Sequence, residues 1–188
     1  KRGKGCKMKV YIFLADGFEE IEAITVIDVL RRAGVDIRTV SITGKNEVIG
    51  SHEIKVTADL LFDESLLKDG EMIVLPGGMP GTANLSKHDG LSGLIRYYSE
   101  NDKWIAAICA APMVYGRMGL LKGKCATCYP GFEKDLAGAE LKVDKVVVDG
   151  KCVTSRGPGT AIYFALKLVE VLKDSQTADK LKKGMLVE

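Results

Sequence analysis

Cys109 is the residue of this chain whose position best suits chemistry. It follows an apolar segment, residues 104–108, that is typical of a buried strand, and it precedes a helix-like segment, residues 113–118. A thiol at a strand-to-helix turn lies near unpaired backbone N–H groups and the helix dipole, which both favour a thiolate. The sequence therefore predicts a nucleophile with a lowered pKa. A buried core cysteine is the alternative, because free cysteines are among the most buried residues.

The elements that must position this thiol alternate between strand and helix along the chain. The apolar strand of residues 9–14, the helix of residues 19–32 and the strand of residues 36–42 predict a first β-α-β unit. Asp16, three residues before Glu19, predicts the cap of that helix. Further strands are expected at 72–75, 105–108 and 125–127, hairpins at 47–56 and 146–155, and helices at 88–100, 159–172 and 177–183. This order predicts an α/β fold, a doubly wound and mostly parallel sheet with helices on both faces.

Four unusual segments directly follow predicted strands. They are residues 16–22, 76–78, 109–112 and 155–159. In open α/β sheets, ligand sites form beyond the carboxyl ends of the strands. We therefore expect the four segments to meet at one pocket.

Roles in such a pocket follow from residue type. Cys109 is the candidate nucleophile, and the backbone N–H groups of Gly78 and Ala110 are candidate donors to a developing oxyanion. Glu19 and Glu22 lie three apart and share one helix face, so one of them is the candidate acid/base or hydrogen-bonds the sulfur.

The two histidines of the chain, His52 and His88, are poorly placed for catalysis. His52 falls in the predicted hairpin, and His88 resembles a helix-start residue. A Cys-His dyad within one subunit is therefore not expected, which disfavours a peptidase and leaves a carboxylate as the base. Arg156 is predicted to hold an anionic substrate group or, alternatively, to form a surface ion pair.

Composition narrows the function classes. The chain has 188 residues, 46% of them hydrophobic, with 27 basic and 25 acidic side chains. This predicts one domain at residues 8–188, with residues 1–7 as an N-terminal arm or expression remnant. A net charge of +2 provides no field that would steer nucleic acid. No apolar run reaches the ~18–20 residues that span a bilayer, so a cytoplasmic location is expected.

The five cysteines do not form a recognisable framework. Their number is odd and their spacing irregular, which disfavours disulfides. Cys125 and Cys128 form a C-x-x-C on a predicted strand, whereas a redox pair is expected to open a helix. No pair of metal-ligand spacings and no nucleotide-binding motif is present. We therefore expect neither a metal nor a cofactor.

Residues 15–22, 75–78, 106–112 and 154–160 together resemble the DJ-1/ThiJ/PfpI superfamily, in particular its DJ-1-like branch. The resemblance implies a flavodoxin-like sandwich that forms a homodimer, with Cys109 as an oxidation-sensitive elbow thiol. It implies that Glu22 is a buried, usually protonated acid bonded to the sulfur and that Glu19 lies at the pocket edge. Gly78 and Ala110 match the backbone donors, and Gly77, Tyr129 and Arg156 complete the expected substrate pocket.

The sequence departs from the superfamily pattern in two places. PfpI-type peptidases carry a histidine directly after the cysteine, where this chain has Ala110, so peptidase activity is not expected. Some DJ-1-like members carry a pocket histidine just before a proline, where this chain has Tyr129 before Pro130. His52 falls in the hairpin that the family uses at its dimer contact, from which it could reach the pocket of a partner subunit.

Three hypotheses follow. The first is a cofactor-independent enzyme of glyoxalase or deglycase type, in which Cys109 attacks a 2-oxoaldehyde such as methylglyoxal or its adduct on a protein. The second is an oxidative-stress sensor or chaperone in which Cys109 oxidises to the sulfinate. The third is a plain α/β domain in which the cysteine only fills the core.

Overall fold

The computed structural model describes residues 8–188 and has one mixed seven-stranded sheet. The predicted N-terminal arm, residues 1–7, lies outside the described residues. The sheet strands are β1 (Lys9–Leu14), β2 (Asp36–Ser41), β5 (Leu60–Leu61), β6 (Met72–Leu75), β7 (Trp104–Ile108), β10 (Val146–Asp149) and β11 (Cys152–Ser155). Their order is β10-β11-β7-β6-β1-β2-β5. All neighbouring pairs are parallel except the hairpin β10–β11. The predicted α/β class is confirmed.

Six α-helices within residues 8–188 accompany the sheet. They are α1 (Glu20–Arg32), α2 (Gly81–Lys87), α3 (Asp89–Glu100), α4 (Pro112–Arg117), α5 (Ala161–Leu172) and α6 (Ser175–Gly184). The short α2 was not predicted from the sequence, whereas α1, α3, α5 and α6 were. Two small pairs lie outside the main sheet, the hairpin β3 (Glu47–Ile49) with β4 (Lys55–Thr57) and the pair β8 (Cys125–Ala126) with β9 (Glu140–Leu141). Within the described residues, no helix is both long and apolar enough to span a bilayer.

The sheet separates two hydrophobic cores because successive side chains of a strand face opposite ways. On β1, Val10, Ile12 and Leu14 belong to the core that contains side chains of α1 and α5. Tyr11 and Phe13 belong to the opposite core, which contains side chains of α3 and α4. Central strands buried on both faces explain the nearly continuous apolar runs seen in the sequence.

Parallel pairing determines where the four unusual segments lie. β1, β6, β7 and β11 are consecutive neighbours that run in one direction. The segments that follow Leu14, Leu75, Ile108 and Ser155 therefore leave the sheet at the same edge. The expected convergence of the four segments is confirmed, and the site is built at this edge.

Candidate active site

Cys109 lies in a strained backbone conformation between β7 and α4. Its φ is +66°, a left-handed value that is uncommon for a residue with a side chain and that recurs at functional sites. Two hydrogen bonds hold this turn: the Cys109 amide donates to the Ser155 carbonyl at 3.0 Å, and the Tyr129 amide donates to the Cys109 carbonyl at 2.8 Å. The thiol is nearly buried at the elbow that these contacts fix.

The surroundings of the thiol overturn the expectation of a lowered pKa. Burial raises the pKa of Cys109 well above its ordinary value, and the charge and hydrogen bond of Glu22 raise it further. The backbone amides of Ala110 and Gly78 act in the opposite direction but are outweighed. The lowered pKa was predicted because the thiol lies near a helix N-terminus. This effect is too weak to lower the thiol pKa, because burial disfavours the thiolate and the neighbouring carboxylate disfavours a second negative charge beside it.

Glu22 is the titratable side chain in contact with the thiol. It is fully buried on α1, and its Oε2 accepts a hydrogen bond from the Gly77 amide at 2.7 Å. Burial raises the pKa of Glu22 to about 7, although hydrogen bonds with Cys109 and Gly77 oppose this shift. Its Oε1 accepts no hydrogen bond from any described residue. The protein therefore has a carboxyl group with a pKa of about 7 beside the Cys109 sulfur.

Glu19 caps the helix that carries Glu22. Its Oε2 accepts a hydrogen bond from the Glu22 amide at 2.8 Å, which is the usual contact of an N-cap side chain. The prediction that Asp16 caps this helix is wrong. The Asp16 carboxylate instead accepts a hydrogen bond from the Ile49 amide of the hairpin β3–β4, at 2.9 Å. Glu19 also contributes to the raised pKa of Glu22 through its charge.

Gly77 and Gly78 allow the loop after β6 to pass close to both catalytic candidates. A Cβ on Gly77 would lie 2.6 Å from Glu22 Oε2 and 2.7 Å from the Cβ of Cys109. Gly78 has a φ of +89°, and a Cβ there would lie 2.4 Å from the Glu19 amide nitrogen. Gly77 thus orients the carboxyl group, while the Gly78 amide interacts with the sulfur, as does that of Ala110.

Tyr129 and Arg156 lie on the two loops that flank the elbow. Tyr129 is 47% exposed, and its ring edge is 3.1 Å from where a Cβ on Gly157 would be. Arg156 has no ion-pair partner within residues 8–188, so the surface ion pair considered for it is not formed there. Its positive charge acts on the thiol of Cys128, whose pKa burial nevertheless raises to about 11.

The histidines are engaged away from the thiol. His88 caps α3 by accepting a hydrogen bond from the Leu91 amide at 3.0 Å. His52 Nδ1 lies 2.8 Å from Oε2 of Glu20, a buried residue of α1. Sequence reasoning missed this His52–Glu20 pair, because the pairing depends on how the hairpin β3–β4 packs on the start of α1. Of the residues described, Glu22 is the carboxyl group that interacts with the sulfur.

The remaining cysteines are free thiols in the described part of the chain. Cys125 donates a weak hydrogen bond to Glu140 at 3.6 Å, while Cys128 and Cys152 are buried. Within residues 8–188, none of these cysteines is paired with another.

The profile of the DJ-1/PfpI family matches residues 8–171. The chain belongs to the DJ-1/PfpI family. It is 37% identical to the protein dj-1beta of Drosophila melanogaster over 178 residues, which cover 94% of this chain and 95% of that protein. It is 38% identical to the protein DJ-1 homolog B of Arabidopsis thaliana. The chain spans only 41% of the length of that protein and 46% of the length of DJ-1 homolog A from the same plant.

Solved structures of DJ-1 proteins have the same fold. The oxidised DJ-1 of Toxoplasma gondii superposes with a TM-score of 0.90 at 38% identity, covering 95% of this chain and 98% of that one. The DJ-1beta of Drosophila melanogaster gives a TM-score of 0.91 at 35% identity, covering 97% and 100% of the two chains. The resemblance drawn from the four motifs and the predicted flavodoxin-like arrangement are therefore confirmed.

Proposed function

We propose that this protein is a cofactor-independent enzyme in which Cys109 attacks the aldehyde carbon of a 2-oxoaldehyde, such as methylglyoxal, or its adduct on a protein. The observation that carries the proposal is the contact between the Cys109 thiol and the Glu22 carboxyl group. A carboxyl with a pKa of about 7 can both accept and return a proton at neutral pH. A thiol whose pKa is raised depends on such a neighbouring base to become a nucleophile.

The first step forms a hemithioacetal. The Glu22 carboxylate accepts the thiol proton as the sulfur bonds to the aldehyde carbon, and the carbonyl π electrons move to oxygen. The amides of Gly78 and Ala110, which interact with the sulfur, are proposed to donate to this developing oxyanion. Glu22 then returns the proton to the oxygen and is again a carboxylate.

The second step moves a hydrogen between adjacent carbons. Glu22 removes the proton from the carbon bonded to sulfur, and the electron pair forms an enediolate across the two carbons, with the negative charge on the former ketone oxygen. Glu22 returns the proton to the neighbouring carbon while the hydroxyl proton of the sulfur-bearing carbon moves to the former ketone oxygen, which leaves a lactoyl thioester on Cys109. Water hydrolyses this thioester to lactate and the free thiol. The net reaction adds one water and requires no external oxidant, because one carbon is oxidised while its neighbour is reduced.

Lactate formation from methylglyoxal tests the proposal. We expect Cys109→Ala to abolish turnover and Glu22→Gln to lower kcat by about 10²–10⁴-fold, the usual contribution of a positioned acid/base. Cys152→Ala, which removes another buried thiol of the sheet, is the matched control and should retain activity. Full activity in Cys109→Ala, or no lactate from the wild type, would refute the proposal.

A redox-responsive role, as sensor or chaperone, is the second candidate, and the same contact supports it. Two equivalents of peroxide convert a thiol to a sulfinate with release of two waters, and protonated Glu22 can donate a hydrogen bond to the product. One solved relative, from Toxoplasma gondii, is described as oxidised. Mild peroxide should add two oxygens to Cys109 before Cys125, which is the more exposed thiol; the reverse order by mass spectrometry would contradict this role.

We propose that the chain forms a homodimer through α1 and the hairpin β3–β4. Apolar side chains on these two elements face solvent in one chain, with Ile21 56% exposed and Ile54 54% exposed. Two adjacent elements with such residues are suited to covering by a second copy. Sedimentation should give a dimer that Ile21→Glu converts to monomer, whereas Leu186→Glu, on an exposed residue near the C-terminus, should not. A monomeric wild type would refute this assembly.

A further inference from the structure

Glu19, Glu20 and His52 form a second cluster of titratable side chains, where the hairpin β3–β4 packs on the start of α1. One potential ligand atom from each residue lies within 4.8 Å of those of the other two. His52 Nδ1 is 2.8 Å from Glu20 Oε2 and 3.9 Å from Glu19 Oε1. The reaction proposed for Cys109 uses none of these three atoms.

Hydrogen bonds offset part of the burial of the two carboxylates: Glu20 accepts from the His52 amide at 2.7 Å and from the Ser51 hydroxyl at 3.2 Å, and Glu19 accepts from the Glu22 amide at 2.8 Å. The side chains of Glu19 and Glu20 are only 10% and 7% exposed. Within residues 8–188 neither forms an ion pair with lysine or arginine, and His52 is their only ion-pair partner. That imidazole is charged only while protonated. Carboxylates withdrawn from water are normally paired with a cation or coordinate a metal.

Glu19 has an oxygen that is free to bind a ligand. Its Oε2 accepts the amide hydrogen bond of Glu22, but its Oε1 accepts none from any described residue. This oxygen belongs to a residue more than nine-tenths buried and faces His52. This oxygen is therefore available to a ligand from solvent, beside the imidazole and the second carboxylate.

We propose that Glu19, Glu20 and His52 bind a divalent transition-metal ion of the zinc class. Imidazole nitrogen and carboxylate oxygen are ligands that Zn²⁺ accepts, and three protein ligands leave a fourth position open. Tetrahedral ligands at bond lengths of about 2.1 Å lie about 3.4 Å from one another. The separations of 2.8 and 3.9 Å at His52 bracket this value, so small side-chain movements complete the geometry.

The proton on His52 competes with the metal. The hydrogen bond with Glu20, the charge of Glu20 and that of Glu19 all raise the pKa of His52. Ser51 Oγ also contacts its Nδ1, at 3.1 Å, and carries no charge. A metal ion bound at Nδ1 takes the place of a proton there, so binding to the protonated imidazole should release that proton to solvent.

Calorimetric titration of the wild-type protein with Zn²⁺ tests the site. We expect one ion per chain and an affinity that falls at least about tenfold, or ~1.4 kcal/mol, in His52→Gln and in Glu20→Gln. The His52 side chain is 71% exposed, so its replacement should leave the fold intact. His88→Gln, which changes the other histidine, and Glu47→Gln, which changes an exposed carboxylate of the same hairpin, are matched controls that should bind as the wild type does.

The absorption spectrum of bound Co²⁺ distinguishes an ion held by Glu19, Glu20 and His52 from an ion held by cysteine thiolates. Nitrogen and oxygen ligands should give only weak visible bands, whereas a thiolate adds strong charge-transfer absorption in the near ultraviolet. Absence of 1:1 binding, unchanged affinity in His52→Gln, or a thiolate band on the tightly bound ion would each overturn the proposal. These readouts do not depend on aldehyde turnover, so they stand apart from the test of the proposed activity.

Discussion

The Gly77 amide donates a hydrogen bond to Glu22 at 2.7 Å, and the same carboxyl group contacts the thiol of Cys109. One oxygen of Glu22 is thus fixed by the loop after β6, while the side chain remains available to the sulfur. The pair resembles other base-activated nucleophiles in that a third group orients the base.

Glu22→Gln should lower the pKa of the Cys109 thiol. In the wild type, burial is the largest cause of the raised value, and the charge and hydrogen bond of Glu22 add to it. A neutral amide removes the charge but leaves the burial and the backbone donors, so the thiol pKa is expected to fall. Ultraviolet absorbance of the thiolate against pH measures this change. A higher thiol pKa in the variant would show that Glu22 acts mainly as a proton donor to the sulfur.

The kcat/KM for methylglyoxal should rise with pH through about 7. Glu22 must be a carboxylate to accept the thiol proton, and burial raises its pKa to about 7. Because the two groups interact, the kinetic midpoint belongs to the pair rather than to one residue. Glu22→Gln should lose this limb of the profile. A wild-type profile that is flat between about pH 5 and 8 would exclude Glu22 as the base.

Gly77→Ala should damage both the site and the fold. The added Cβ would lie 2.6 Å from Glu22 Oε2 and 2.7 Å from the Cβ of Cys109, and crowding of this kind typically costs about 1–3 kcal/mol. We expect a lower midpoint of urea unfolding and little lactate formation. Gly184→Ala, where a Cβ would meet no atom within 4 Å, is the control. Normal activity in Gly77→Ala would show that the hydrogen bond between the Gly77 amide and Glu22 is not needed for catalysis.

Folding stability should depend on pH through Glu22. Its pKa is raised from 4.5 to about 7 in the folded state, so the native protein binds this proton more tightly than the unfolded chain. The stabilisation is present below about pH 4.5 and is lost as the pH rises through about 7. Relative to Glu22→Gln, the wild type should therefore lose on the order of 3 kcal/mol between about pH 4.5 and 8. Urea unfolding at several pH values measures it, and parallel stability curves for the two proteins would contradict the raised pKa.

Much of the fold follows from local sequence patterns. The apolar runs of the central strands and the helical spacing of α1, α3 and α5 predicted an α/β sheet, because hydrophobic periodicity is a local property. The same patterns located the segments after Leu14, Leu75, Ile108 and Ser155, which parallel pairing then brought to one edge. Short elements such as α2, with seven residues and no side-chain cap, carry too little local signal to be predicted.

The chemical state of the site was decided by tertiary structure. The residue pattern identified Cys109, Gly78 and one of Glu19 and Glu22 as candidates, and the family resemblance implied Glu22 and Gly77, but the pattern also predicted a lowered thiol pKa from the helix terminus. Burial and the neighbouring carboxylate reverse that shift, and both arise only when β7 and α1 pack within one fold. Likewise Asp16 has the sequence of a cap, yet the Ile49 amide of a distant hairpin binds it and Glu19 caps α1 instead. The sequence determines which side chains are available for chemistry. Contacts between residues far apart in the sequence determine how deeply those side chains are buried and which hydrogen bonds they form, and therefore their pKa values.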